Sequence, residues 1–311
     1  MRIGRSHRRL HELERLDPAT DYERITRVDG TLEFPWDLQQ SLSFALFRTY
    51  AVPSIGGLLY ETGEFERDAQ KRHDDTVLIL DAIAVDGMES DDGRAAVRRM
   101  NRMHGRYDIS NDDLRYVLAT FVVTPIRWIA AYGWRRQSRV EIDAAVQYYR
   151  RLGRLMGIRE IPQTYEAFAE YMDAYEAEHF RLDPRTRVVA DATLDLLVTF
   201  YPRMARRMVR AFSIAILDPH LRAAFGYPEP SRFAVRASHG ALRLRGRIVS
   251  LLPARRRPQY ARDLKRIRSY PGGYLVEQLG TFAPEEAASG AVAGTPPTAA
   301  RRVTPLPERA P

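Results

Sequence analysis

A chain of 311 residues with 45% hydrophobic and 28% charged side chains is an ordinary globular sequence, able to bury a sizeable core in one large or two modest domains. The formal charge of +8 comes mainly from arginine, with runs at Arg2 to Arg9 and at Arg255-Arg256-Arg257. No zinc finger, aromatic RNA-binding signature or long basic stripe accompanies it, so a solvated basic surface is expected and no nucleic-acid partner. The chain has no cysteine, which removes disulfides, thiolate haem ligation, iron–sulfur clusters and Cys-based zinc sites together.

Residues 1–34 read as a basic N-terminal arm. The segment 1–17 lacks the apolar stretch of a signal peptide, and a cytoplasmic chain is expected. Helical periodicity dominates from residue 35, and alternating strand-like runs are scarce. Apolar residues three and four apart predict helices over 35–50 and 65–85. Asp91 or Asp92 is expected to cap a helix running to His104. Ser110 with Asp113 marks the start of the next helix, which carries Val117 to Trp134. The stretch Leu114 to Trp134 is the most apolar in the chain, yet Arg115, Pro125 and Arg127 interrupt it, so a buried or half-buried helix is predicted.

Ser138-Arg139-Val140-Glu141 is a capping box opening a helix that Gly157 ends. Pro162-Gln163-Thr164-Tyr165 opens a helix over 168–180 and Asp183-Pro184 opens the next, and further helices are expected over 203–217, 219–225 and 233–251. Residues 281–311, rich in Ala, Pro, Gly and Thr, read as a disordered tail. The expected fold is all-α, with a single helical domain over 35–280.

Two constellations could carry chemistry. Arg72 and Thr76 are four apart and share a helix face, and His104 follows 28 residues after Thr76. A cation beside a hydroxyl suits a small anionic or oxygen-bearing ligand; the plainer alternative is that Arg72 pairs with a nearby acid. Glu176-Ala177-Glu178-His179 is a single Glu-x-x-His, whereas a di-iron bundle needs two copies and further carboxylates. A solvated acidic helix face is the simpler reading of it. Dinucleotide, Walker, zinc-protease and nucleophile-elbow motifs are all missing from the sequence.

Several stretches in order resemble the MpaB-type oxygenase family, which includes the bacterial latex-clearing proteins. They are Arg72-x-x-x-Thr76, the helix ending at His104-Gly105, and the polar turn Tyr107 to Leu114. Tyr148-Tyr149 leading into Leu155-Met156-Gly157-Ile158 and Pro162-Gln163-Thr164 follows, then Leu217-Asp218-Pro219 and Phe225-Gly226-Tyr227-Pro228. The resemblance covers roughly residues 35–228 and implies a globin-like helical core around one haem b. It implies His104 as the iron ligand, with Arg72 and Thr76 lining the oxygen-binding side and Arg72 also touching the cofactor. In that family a glutamate upstream of the arginine is proposed as a base; Glu61 matches by spacing, with Glu64 as the alternative. In latex-clearing proteins a lysine directly precedes the threonine and can cap the iron, a position held here by Asp75.

The implied function is dioxygen activation for oxidative attack on a small apolar substrate; in characterised relatives this cleaves carbon–carbon double bonds of isoprenoid chains. Phe44, Leu78, Leu118, Phe121 and Trp128 are candidate pocket residues that helical spacing equally makes core. The alternative function is a non-catalytic haem- or lipid-binding helical protein. The basic segment 242–257 mixes arginine with apolar residues and is a candidate for peripheral membrane contact.

Overall fold

The computed structural model describes residues 5–281. Within them the chain is all-helical, with thirteen α-helices and no strand, as the periodicity predicts. The expected tail lies outside the described residues except at Thr281. Where one domain is expected over 35–280, the helices gather into two compact units, each made from two separate stretches of chain.

The first unit comprises residues up to 69 and 109–259. Its N-terminal stretch is not an arm. α1 (Arg8–Leu13) and α2 (Tyr22–Val28) bury Leu13 and Ile25 against Ala144, and a π-helical turn (Asp29–Glu33) follows. α3 (Pro35–Thr49) and α4 (Pro53–Glu61) each begin with proline, whose fixed φ and missing N–H suit the first helical turn. α5 (Glu64–Asp81) departs from helical geometry at Asp68 and continues into the second unit, where α6 (Asp91–His104) also lies.

The first unit resumes with α7 (Asn111–Tyr132). Ser110 caps it, its Oγ accepting from Asp113 N at 3.0 Å, and Asp112 and Asp113 stand where the helix dipole favours anions. α7 is buried on most of its circumference and packs against α3, α8 (Arg139–Leu155) and α9 (Tyr165–His179). It is long and apolar enough to cross a membrane, but 67% of its most apolar window is covered within this unit, as in a core helix. The predicted capping box forms at Ser138 and Glu141, and Gly157, at φ 75°, follows the end of α8.

α10 (Pro184–Thr199), α11 (Arg206–Ala215), α12 (Pro219–Ala224) and α13 (Arg232–Leu251) complete the unit. Phe168, Phe225, Tyr116 and Leu221 are fully buried in its main core. Each such side chain contributes about 1.5–3 kcal/mol relative to exposure. α13 docks through Ser238, Leu242 and Gly246. A Cβ at Gly246 would lie 2.4 Å from the Tyr132 carbonyl oxygen, so only glycine allows this approach.

The second unit consists of 70–108 and 260–281. α5 ends in a π-helical turn (Ala82–Asp86) that packs on α6, and the C-terminal segment closes over both. Three buried aspartates of α5 fasten that segment. Asp74 accepts from the Arg268 and Ser269 amides at 2.9 Å, Asp75 from the Tyr270 hydroxyl, and Asp81 from the Ala261 amide at 2.9 Å and from Arg262.

Candidate functional site

α6 ends at its histidine. Ser90 caps the helix, its Oγ accepting from Gly93 N at 2.9 Å; Asp91 and Asp92 occupy the first turn instead. Ala95, Ala96 and Val97 face inward, and the buried Arg99 donates to the Leu279 carbonyl. These contacts fix the helix whose last residue is the half-buried His104.

Neither ring nitrogen of His104 bonds to a described residue, and Nδ1 is sealed from solvent. Burial first, and then the Arg72 cation, lower its pKa to about 4. At neutral pH the imidazole is therefore uncharged and keeps a lone pair free, which is the state a metal needs.

Arg72 and Thr76 share one face of α5, as their spacing predicts. Arg72 Nη1 donates to Thr76 Oγ1 at 3.3 Å, and Thr76 Oγ1 donates to the Arg72 carbonyl at 2.9 Å. The hydroxyl proton is thus committed to the helix, and its oxygen steadies the guanidinium. No carboxylate among the described residues pairs with Arg72, so the plainer reading of a structural ion pair fails.

Asp75 is turned into the fold. Lys71 Nζ reaches one oxygen at 2.7 Å and the Tyr270 hydroxyl donates to the other. Both oxygens are occupied, and Asp75 offers no substitute for the lysine found there in latex-clearing proteins. Its neighbour Asp74 is held below the usual carboxylate range. Burial pushes it up, but hydrogen bonds from His73, the Arg268 amide and Ser269 outweigh that.

Glu61 belongs to the first unit. It is the last residue of α4, largely exposed, and pairs with Arg185 at 2.8 Å. Glu64 pairs with Arg67. Of the expected site residues, the structure brings together Arg72 and Thr76 by hydrogen bonding and Arg72 and His104 electrostatically.

Glu176 is not on a solvated face. It is buried, receives Arg48 Nε at 2.8 Å and the Tyr116 hydroxyl at 3.0 Å, and shares Arg48 with Asp218. His179 stacks on Tyr175 at 4.0 Å, with Nδ1 3.0 Å from that residue's carbonyl. No group of three or more His, Asp or Glu residues able to hold a metal occurs among the described residues. A di-iron site would need such carboxylates beside Glu176, and Glu176 is already neutralised by Arg48.

Leu118 lies in the main core of the first unit, Phe121 packs on Tyr149 and Phe44 on Trp128. Leu78 is fully buried in the second unit. Sequence reading passed over the segment 260–281, whose Tyr270, Ser269 and Arg262 lock α5; its polar, aperiodic sequence carries no local signal of that role.

The described residues form an all-helical protein in which the imidazole of His104, without a hydrogen-bond partner among them, lies under the influence of an arginine that pairs with none of their carboxylates. Residues 38–251 match the family described as ER-bound oxygenase mpaB/B'/rubber oxygenase, catalytic domain. The chain belongs to that family. It is 31% identical over 238 residues to the ER-bound oxygenase mpaB' of Penicillium brevicompactum, covering 70% of this chain and 56% of the relative. Against the ER-bound oxygenase mpaB of Penicillium roqueforti it is 29% identical over 252 residues, covering 72% and 85%. The corresponding protein of Penicillium brevicompactum is 32% identical over 245 residues, covering 71% and 62%. The chain thus spans about half to two thirds of the length of two of these relatives.

Proposed function

We propose that this chain is a haem b-dependent oxygenase that uses dioxygen to attack a small apolar substrate of the isoprenoid class. The observation that carries the reading is His104, whose nitrogens have no described partner and whose basicity is suppressed so that it stays neutral. Such a donor fits iron, and the lone guanidinium of Arg72 fits an anionic group beside it, a propionate or a reduced oxygen ligand. Haem, when bound, supplies the oxygen-binding and redox chemistry.

The residues of this chain do the remaining work. His104 would hold the iron. Arg72 orients the anionic group, with Thr76 Oγ1 fixing the direction of its Nη1 and thereby the geometry of approach. The relatives are named ER-bound, and association with a membrane, where apolar substrates dissolve, belongs to the same reading.

A visible spectrum of the purified, haem-supplemented protein tests it. The expected result is a Soret band that His104→Ala abolishes while the far-ultraviolet helix signal is kept. A folded protein with no Soret band, or a band indifferent to His104→Ala, overturns the reading. A haem-loaded protein that consumes no oxygen with reductant and isoprenoids would leave the non-catalytic binding alternative.

A further inference from the structure

The sequence directs attention to the basic segment 242–257, but the structure divides it. Leu242 and Gly246 face the protein, and the outward surface of α13 begins earlier, at Phe233. Along that surface Phe233, Ala237, Gly240, Leu244, Ile248 and Leu251 follow one another at steps of three and four, forming one stripe on the side opposite Ser238, Leu242 and Gly246. Phe233 is 81% exposed, Leu244 57% and Leu251 62%. An amphipathic helix of a globular fold normally turns its apolar stripe inward. Here the stripe faces out.

Arginines flank the stripe along one side. Arg232, Arg236, Arg243 and Arg247 are exposed, repeat at steps of four and seven, and pair with no carboxylate among the described residues. α13 contains no Asp or Glu at all; its one paired arginine, Arg245, reaches back to Asp37 at 2.7 Å. The exposed Leu252 and Arg255 to Arg257 extend the pattern past the helix end. α11, which packs beside α13, shows Met208 at 69% exposure beside the exposed Arg207, and the 3-10 turn Arg203–Ala205 that leads into it shows Met204 at 98% beside the exposed Arg203.

We infer that the outer face of α13 is a membrane-docking surface for an anionic lipid bilayer, with Phe233, Leu244, Ile248 and Leu251 entering the headgroup–acyl boundary and Arg232, Arg236, Arg243 and Arg247 meeting lipid phosphates. The charge distribution selects this occupant. A second copy of the chain would bring the same unpaired arginines against each other, whereas an anionic surface neutralises them. A purely apolar partner would leave them uncompensated. The geometry is that of a helix lying in the interface plane.

The inference deepens the membrane part of the proposed function and is independent of the haem part. The full-length protein is sedimented with phosphatidylcholine vesicles and with vesicles containing phosphatidylserine, and its Soret band is recorded on the same samples. Expected is binding to the anionic vesicles that weakens with salt. Substituting the four arginines by glutamine should lower the affinity by at least about 100-fold, at roughly one order of magnitude or less per charge. Phe233→Ser with Leu244→Ser should weaken it comparably while leaving melting and spectrum unchanged. As a positive signal, Leu244→Trp should gain fluorescence quenched by brominated acyl chains.

Equal binding to neutral and anionic vesicles, no binding to either, or binding indifferent to both sets of substitutions overturns the inference. So does a dimer in sedimentation velocity that Phe233→Ser with Leu244→Ser dissolves. Vesicle binding by a protein without a Soret band would refute the haem reading and leave the docking surface standing; the converse outcome would do the reverse.

Discussion

Two buried or half-buried arginines tell opposite stories. Arg48 in the first unit is saturated: Glu176 takes two of its nitrogens, Asp218 the third, and Tyr116 completes the shell of Glu176. Burial disfavours the charged guanidinium, but Glu176 and Asp218 outweigh that and hold it firmly protonated. Among the described residues Arg72 in the second unit pairs with no carboxylate and donates to a threonine of its own helix, and its cation lowers the pKa of His104. A charge that folding has already satisfied serves the fold. One left without a carboxylate, next to a base prevented from charging, is the feature on which the proposed ligand site rests.

The comparison can be broken most forcefully at Arg48. Arg48→Met leaves Glu176 buried beside Tyr116 alone, and a loss of about 3–5 kcal/mol is expected in urea unfolding. Adding Glu176→Gln should restore a large part of it, because the uncompensated anion is then gone. A loss below 1 kcal/mol would show that water reaches the network and that Arg48 is no more structural than Arg72.

Asp29 probes the same unit from a buried carboxyl that no salt bridge among the described residues holds. Arg135 serves Glu33 and Glu141, and Asp29 has Gln137 at 3.0 Å. Burial first, and then the neighbouring Glu141, push its pKa well above the usual carboxylate range. The folded state therefore holds a proton that the unfolded chain releases. This group's contribution to stability is full below its unfolded pKa and is lost as pH rises through its folded one. Asp29→Asn should melt above the parent protein at pH 8, with the gap closing by pH 4. A gap that widens in acid would reverse the assignment.

The smallest stability effect is expected at Arg72. Arg72→Gln should change unfolding free energy by no more than about 0.5 kcal/mol, since no ion pair is lost. It should nevertheless shift the Soret band or weaken haem retention. A large loss of stability without any spectral change would place Arg72 with Arg48.

Much of the fold was legible because helix ends obey local rules. Ser110 and Ser138 cap where their spacing announces it, and the helices expected after Pro162-Gln163-Thr164-Tyr165 and Asp183-Pro184 begin at Tyr165 and Pro184. α4 escaped notice because Gly56 and Gly57 lower its propensity, and α1 and α2 because they are short and rich in charge. The pairing of Arg72 with Thr76 was legible for the same local reason. That Arg72 has no acid, or His104 no acceptor, was not, because a missing partner is a property of every distant segment at once. The burial of Glu176 was hidden likewise, since Arg48 lies 128 residues away.

The discontinuity of the second unit sets a timetable for synthesis. Asp74, Asp75 and Asp81 emerge from the ribosome 180 to 195 residues before the backbone and side-chain groups that satisfy them. Until Ala261 to Tyr270 have been made, α5 carries three carboxylates without those partners, and its closure spans a long loop whose entropy opposes it. The first unit, complete by residue 259, can settle earlier. His104 therefore sits in the last part of the molecule to mature, and a nascent chain stalled before the C-terminal segment would present its imidazole on an unfinished support.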